Sequence, residues 1–212
     1  YNELLRRINA TKVPFMHWAF TGVHHSPYDH PKSKRQQWKG QESDFMNSLI
    51  YADECLGDFI RKCKTEQWFD NTIFVFVADH GHATPQYEDY SCNEFYRIPF
   101  LIWGEPLKEA YRGQRIDKVG SQTDIVATLL HQMGQGYSAY PWSKDLLNPN
   151  APEFALHTTI NGYGWVTNKG STVYEYFQKK RIRNTFKASD SASEIEKGNA
   201  FIVEVYRAFK GL

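Results

Sequence analysis

The sequence predicts an α/β fold: a mostly parallel sheet flanked by helices, with a small antiparallel subregion and a closing helix at the C-terminal end. Three observations carry that expectation. Thr72-Ile73-Phe74-Val75-Phe76-Val77-Ala78 is a nearly all-apolar run without alternation, the pattern of a strand covered on both faces. A helical repeat precedes it, with Phe45, Leu49, Ala52, Leu56, Phe59 and Ile60 recurring at intervals of three and four between Gln41 and Trp68. With the earlier apolar run Val13–Phe20, this makes a strand–helix–strand crossover. Beyond Gly134 the character changes: Gly136, Pro141, Pro149 and Pro152 mark a long irregular connection, after which short strand-like segments joined by turns follow.

In chain order, residues 1–11 read as the tail of a helix with Leu4, Leu5 and Ile8 on one side. Val13–Phe20 reads as a second buried strand, ending at Thr21-Gly22-Val23-His24-His25. Residues 29–40, with Lys32, Lys34, Arg35 and Lys39, suit an exposed loop, and residues 83–96 a polar loop able to act as a lid or substrate selector. Ile98–Trp103 is a third buried strand with Pro99 near its start, where its missing N–H does least harm. Ile125, Val126, Leu129 and Leu130 mark the inner face of a helix over Gln122–Met133, with Thr123 and Asp124 suited to its first turn. Phe154–Ile160, Gly164–Thr167 and Thr172–Phe177 read as short strands, Asn168-Lys169-Gly170 as a hairpin turn. Lys179, Lys180, Arg181 and Arg183 form a basic link to the last helix, Ser191–Phe209, which stops before Gly211.

With 212 residues, 41% of them hydrophobic, the chain can build one large domain. A formal charge of +1 sets up no overall field to attract nucleic acid or an anionic membrane. The three cysteines are an odd count without metal-type spacing; Cys55 and Cys63 stand about 12 Å apart along a helix, too far for a disulfide. No apolar run reaches membrane-spanning length. The first residues, Tyr1-Asn2-Glu3-Leu4-Leu5, start in mid-pattern without Met, so the chain is expected to be a piece of something longer.

The chemistry is expected where the apolar run of residues 72–78 stops, at Asp79-His80-Gly81-His82, because open α/β sheets bind ligands beyond the carboxyl ends of their strands. Asp79 and His80 supply oxygen and nitrogen donors for a divalent cation such as Zn or Mn, and Gly81 permits close backbone approach. The competing reading is a solvated loop with a hydrogen-bonded Asp–His pair. If the two strands are parallel neighbours, His24 and His25 open into the same crevice; a plain surface turn is the better reading for His24, less so for His25. A zinc peptidase is disfavoured, since His80 and His82 are two apart on a loop rather than four apart on a helix.

His25-Ser26-Pro27-Tyr28, Ala78-Asp79-His80-Gly81-His82, Tyr96-Arg97-Ile98-Pro99-Phe100-Leu101-Ile102 and Gln122-Thr123-Asp124-Ile125-Val126-Ala127-Thr128-Leu129-Leu130 occur in an order that resembles the alkaline phosphatase/sulfatase superfamily. Ser143-Lys144-Asp145-Leu146-Leu147-Asn148 and Asn161-Gly162-Tyr163-Gly164 are similar to elements of its branch related to lipoteichoic acid synthase. The resemblance implies a partial alkaline-phosphatase-like fold, a single C-terminal portion of a catalytic domain with an α/β core over 1–134 and the antiparallel subregion and closing helix over 135–212. It implies a hydrolase or transferase of phosphate or sulfate esters that depends on a divalent ion (Mn, Zn, Mg or Ca). Asp79 and His80 then map onto metal ligands, His25 onto the contact to the transferred anionic group, and His82 onto a position that orients ligands. Arg97 matches a recurrent basic residue without an assigned role. The implied substrates are lipid head groups or glycans, with no nucleic acid, and the parent protein is expected to be membrane-anchored on the extracytoplasmic face of a bacterial inner membrane or in the periplasm. The family's nucleophile and remaining carboxylate have no counterpart: Thr21 and Thr84 lack the surroundings, and no Cys-x-Pro-Ser-Arg signature occurs. With two ligands visible, this portion is expected to bind metal weakly or not at all and to be inactive alone. The alternative is a non-catalytic α/β module binding an anionic glycan or a protein partner.

Overall fold

A computed structural model describes residues 1–31, 38–82, 89 and 91–211. Half of the expected basic loop over 29–40 and half of the lid over 83–96 fall outside these residues. The chain divides into two compact units, one of residues 1–75 with 102–109, the other of 76–101 with 110–212.

In the first unit, α1 (Asn2–Ala10) turns Ile8 inward against α2 (Ser43–Cys63), whose Phe59 and Cys63 it meets. Phe69 completes this buried cluster, with Leu56, Ile60 and Trp68 packed around it, as the three-and-four spacing requires. The Trp68 indole N–H donates to Asn9 Oδ1 at 2.7 Å, fixing the end of α1 to the segment after α2. α2 stops at Cys63, five residues before the periodicity does. The Thr65 hydroxyl caps the Lys62 carbonyl, and a 3₁₀ turn over Phe69–Asn71 redirects the chain.

Two short strands follow, β1 (Phe74–Val77) and β2 (Phe100–Trp103), hydrogen-bonded to each other. The expectation of strands buried on both faces fails here. Phe74 and Phe76 are half-buried while Val75 and Val77 are exposed, the alternation of a sheet covered on one face. Val13–Phe20 forms no strand. Phe15 packs edge-on against Trp68 at 5.8 Å, whereas Trp18 is 85% exposed and Met16 and Phe20 also face solvent. An apolar run becomes a strand only where a neighbour takes its backbone groups, and none does so among the described residues.

The second unit also corrects the expectation of a mostly parallel sheet. Its four strands, β3 (Phe154–Thr159), β4 (Gly162–Thr167), β5 (Gly170–Glu175) and β6 (Lys180–Asn184), run in order β3-β4-β5-β6 and are antiparallel at every pairing. Turns this short leave no other choice: Thr159 pairs with Gly162 and Thr167 with Gly170. β6 arises where the basic residues suggested a link. Arg181 lies over the Tyr174 ring and donates to Asn199 Oδ1, so its stem is sheltered. α3 (Asp124–Gln132) precedes the sheet in sequence, and the closing helix, α4 (Ala188–Lys210), covers it. Ile202 and Phe201 of α4 pack on Trp165 and Phe154, and a Cβ at Gly198 would stand 2.9 Å from the Trp165 ring, so the helix approaches as closely as a glycine allows.

Asp124 stands in the first turn of α3, as expected, and is buried. Its carboxylate accepts the backbone N–H groups of Ser121 and Lys144 and pairs with the Lys144 ammonium. Thr128 bonds back to the Asp124 carbonyl and accepts the Leu146 N–H, so α3 and residues 143–147 are locked together. Asp145 adds a 2.5 Å contact to His131 Nδ1.

Candidate functional site

β1 ends at Val77, and Asp79 and His80 follow on its open side. Their side chains are 59% and 72% exposed, with His80 Nε2 3.6 Å from Asp79 Oδ2. The His80 backbone N–H donates to Asp79 Oδ1 at 3.0 Å, which holds the carboxylate toward the imidazole. His80 Nδ1 is 2.8 Å from the Gly81 carbonyl. A carbonyl only accepts, so Nδ1 carries the proton and Nε2 of the neutral ring keeps its lone pair. A carboxylate oxygen beside an imidazole nitrogen whose other nitrogen is anchored is a donor pair suited to a divalent cation. Among the described residues no three or more His, Cys, Asp or Glu side chains gather at one such point.

Three segments lie against this loop. Gln122, just before α3, donates from Nε2 to the carbonyls of Ala78 at 2.7 Å and Asp79 at 2.8 Å. The Ala78 N–H reaches the Pro99 carbonyl beside β2. Gly81 lies so close to the 3₁₀ turn Asn93–Tyr96 that a Cβ there would stand 1.8 Å from the Phe95 carbonyl oxygen.

That turn is itself braced by the sheet. His157 of β3 stacks on Tyr96 at 3.7 Å between centroids, and its Nε2 is 2.9 Å from Asn93 Oδ1. Asn93 Nδ2 donates to Ser171 Oγ on β5, so Oδ1 is the acceptor and His157 donates from Nε2. The other ring nitrogen, Nδ1, is buried without a hydrogen-bond partner among the described residues. Burial therefore depresses the His157 pKa from 6.5 to about 4. Gly164 leaves room for the ring, since a Cβ there would meet His157 Nε2 at 2.0 Å. Sequence reading missed both Gln122 and His157 as supports; the only local signal was Gln122 immediately ahead of a helix start.

His25 stands exposed in a turn closed by its own N–H to the Gly22 carbonyl and by the Tyr28 N–H to the His25 carbonyl. Its Nδ1 is 2.8 Å from the Ser26 carbonyl, so it too presents Nε2 outward. His24 is half-buried, not a freely solvated turn residue. His82 is half-buried and Arg97 exposed. The structure brings Asp79, His80, Gly81 and Gln122 together in the second unit; His25 belongs to the first.

Residues 1–137 match the family model described as Sulfatase, well over half of the chain. The chain belongs to the sulfatase family. Among curated relatives, this sulfatase-family chain is 24% identical over 182 residues to the lipoteichoic acid synthase-like YvgJ of Bacillus subtilis, covering 77% of itself and 29% of that protein. It is 23% identical over 157 residues to phosphoglycerol transferase I of Xanthomonas axonopodis pv. citri, covering 72% of itself and 22% of that protein. A solved alkaline phosphatase superfamily protein from Vibrio parahaemolyticus superposes with a TM-score of 0.73 at 25% identity, over 97% of this chain and 52% of that one. The sulfatase-family chain thus spans about half of that solved structure and under a third of the two curated relatives.

Proposed function

We propose that this chain supplies one arm of a metal-dependent site that hydrolyses or transfers phosphate or sulfate esters, with Asp79 and His80 as cation ligands. The observation that carries the reading is the bare His80 Nε2 beside Asp79 Oδ2, on a loop held by Gln122 and by the Phe95 carbonyl. The chemistry a bound divalent cation supplies is neutralisation of the ester oxygens and activation of a hydroxyl. His25, with Nδ1–H resting on the Ser26 carbonyl and Nε2 outward, is the proposed contact to a charged oxygen of the group being transferred. His82 orients the ligand loop. The nucleophile and the remaining ligands come from residues beyond those of this chain, which is inactive alone; Thr21 is exposed, and Thr84 lies outside the described residues.

The relatives named for lipoteichoic acid synthesis and phosphoglycerol transfer favour a phosphoglycerol-type head group over a sulfated glycan. The reaction is proposed for the extracytoplasmic side of a bacterial membrane. No helix among the described residues is long and apolar enough to cross one. The test is Asp79→Ala in the full-length protein, with phosphodiester and sulfate-ester cleavage followed in added Mn or Zn. Cleavage is expected to disappear; cleavage at the unsubstituted rate excludes the metal role.

A further inference from the structure

We propose that the end of the antiparallel sheet carrying the β3–β4 and β5–β6 turns is a docking surface for an anionic lipid bilayer. In a sheet ordered β3-β4-β5-β6 these two turns lie at the same end, and the Tyr176 N–H donates to the Asn161 carbonyl at 2.7 Å, tying them together. At their tips Ile160 and Phe177 are each 81% exposed. α4 reaches the same end, because Tyr206 lies close enough to Tyr176 to perturb its hydroxyl, and Phe209, one helical turn further, is 85% exposed. Three large apolar side chains thus project from neighbouring points.

The charges around these tips decide the occupant. Lys179 and Lys180 follow Phe177, and Lys210 follows Phe209; all three are exposed, and none has a carboxylate partner among the described residues. The acids nearby are otherwise engaged. Glu175, opposite Lys180 in the register, accepts the Gln178 N–H, and Glu204 pairs with Arg207 at 2.6 Å. Apolar tips ringed by unpaired lysines, with the Tyr176–Tyr206 pair behind them, match the layering of a bilayer surface: acyl chains, polar boundary, anionic head groups. The net charge of +1 conceals this local excess, since a membrane senses charge only within about a Debye length. The proposal does not depend on metal binding at Asp79.

Co-sedimentation of the chain with vesicles of equal parts phosphatidylglycerol and phosphatidylcholine tests it, against vesicles of phosphatidylcholine alone. Binding to the anionic vesicles is expected, weakened at least about tenfold by Ile160→Ser with Phe177→Ser, and similarly by Lys179→Glu with Lys180→Glu or by raised salt. Asp79→Ala is expected to bind as the unsubstituted chain does. All four tip positions are exposed, so an unchanged thermal melt accompanies each variant. No binding to anionic vesicles, or binding indifferent to the tip substitutions, overturns the proposal. So does a concentration-dependent dimer that Ile160→Ser with Phe177→Ser abolishes while vesicle binding persists, for then the tips serve a second copy.

Discussion

Acidification is expected to loosen the brace behind the Asp79–His80 loop through one side chain. His157 titrates at about 4 in the folded chain against 6.5 unperturbed, because burial strips the charged ring of solvent; among the described residues Nδ1 has no hydrogen-bond partner. Its folded pKa is the depressed one, so the unfolded chain takes up the proton first. The stabilisation is complete above pH 6.5, drains away as pH falls toward 4, and is exhausted below that. The shift corresponds to about 3 kcal/mol across that window. Urea unfolding at pH 7.5 and at pH values through the window measures it, with His157→Phe as the reference. The phenyl ring retains the stack on Tyr96 but gains no proton, so carboxylate contributions common to both proteins cancel. The unsubstituted chain is expected to lose about 3 kcal/mol more than the variant on going from pH 7 to 4. Equal losses in the two proteins refute the assignment of a neutral, buried His157. Amide exchange at His80–His82 is expected to accelerate in parallel, since the turn that His157 holds is the one Gly81 leans on.

Gly81→Ala puts a methyl group against the Phe95 carbonyl and is expected to destabilise the chain by about 1–3 kcal/mol, with metal-dependent cleavage by the full-length protein falling further than stability alone explains. Gln122→Ala removes two hydrogen bonds to the Ala78 and Asp79 carbonyls; a loss of about 1 kcal/mol in urea unfolding is expected, together with weaker metal affinity in the full-length protein. Lys144→Met strands the buried Asp124 carboxylate and is expected to cost about 3–5 kcal/mol, most of it recovered when Asp124→Asn is added. A double variant no more stable than the single one contradicts the ion-pair account.

The end of β1 was legible because its evidence is local: an apolar run ending abruptly in Asp79-His80-Gly81-His82 marks a strand end wherever the strand later packs. The helices were legible for the same reason, their three-and-four spacing being set within each segment. Pairing is not local. Val13–Phe20 has the composition of a buried strand, yet composition does not say whether a neighbour will take its backbone groups, and Trp18 ends in solvent. The supports of the site were hidden by sequence distance, Gln122 lying 43 residues from Asp79 and His157 64 residues from Asn93. β6 was hidden by its charges, because an arginine that shelters its stem on a tyrosine ring looks, as a letter, like a solvated link. Asp124 read as a helix-dipole residue until Lys144, 20 positions on, closed its ion pair.

The central claim is that Asp79 and His80 hold a cation together. Anomalous diffraction from crystals of the full-length protein's catalytic domain soaked in Mn tests it most directly. The account predicts a peak about 2.0–2.3 Å from both an Asp79 carboxylate oxygen and His80 Nε2, with His80 Nδ1 still on the Gly81 carbonyl. A peak held elsewhere, with these two side chains left free in solvent, contradicts it.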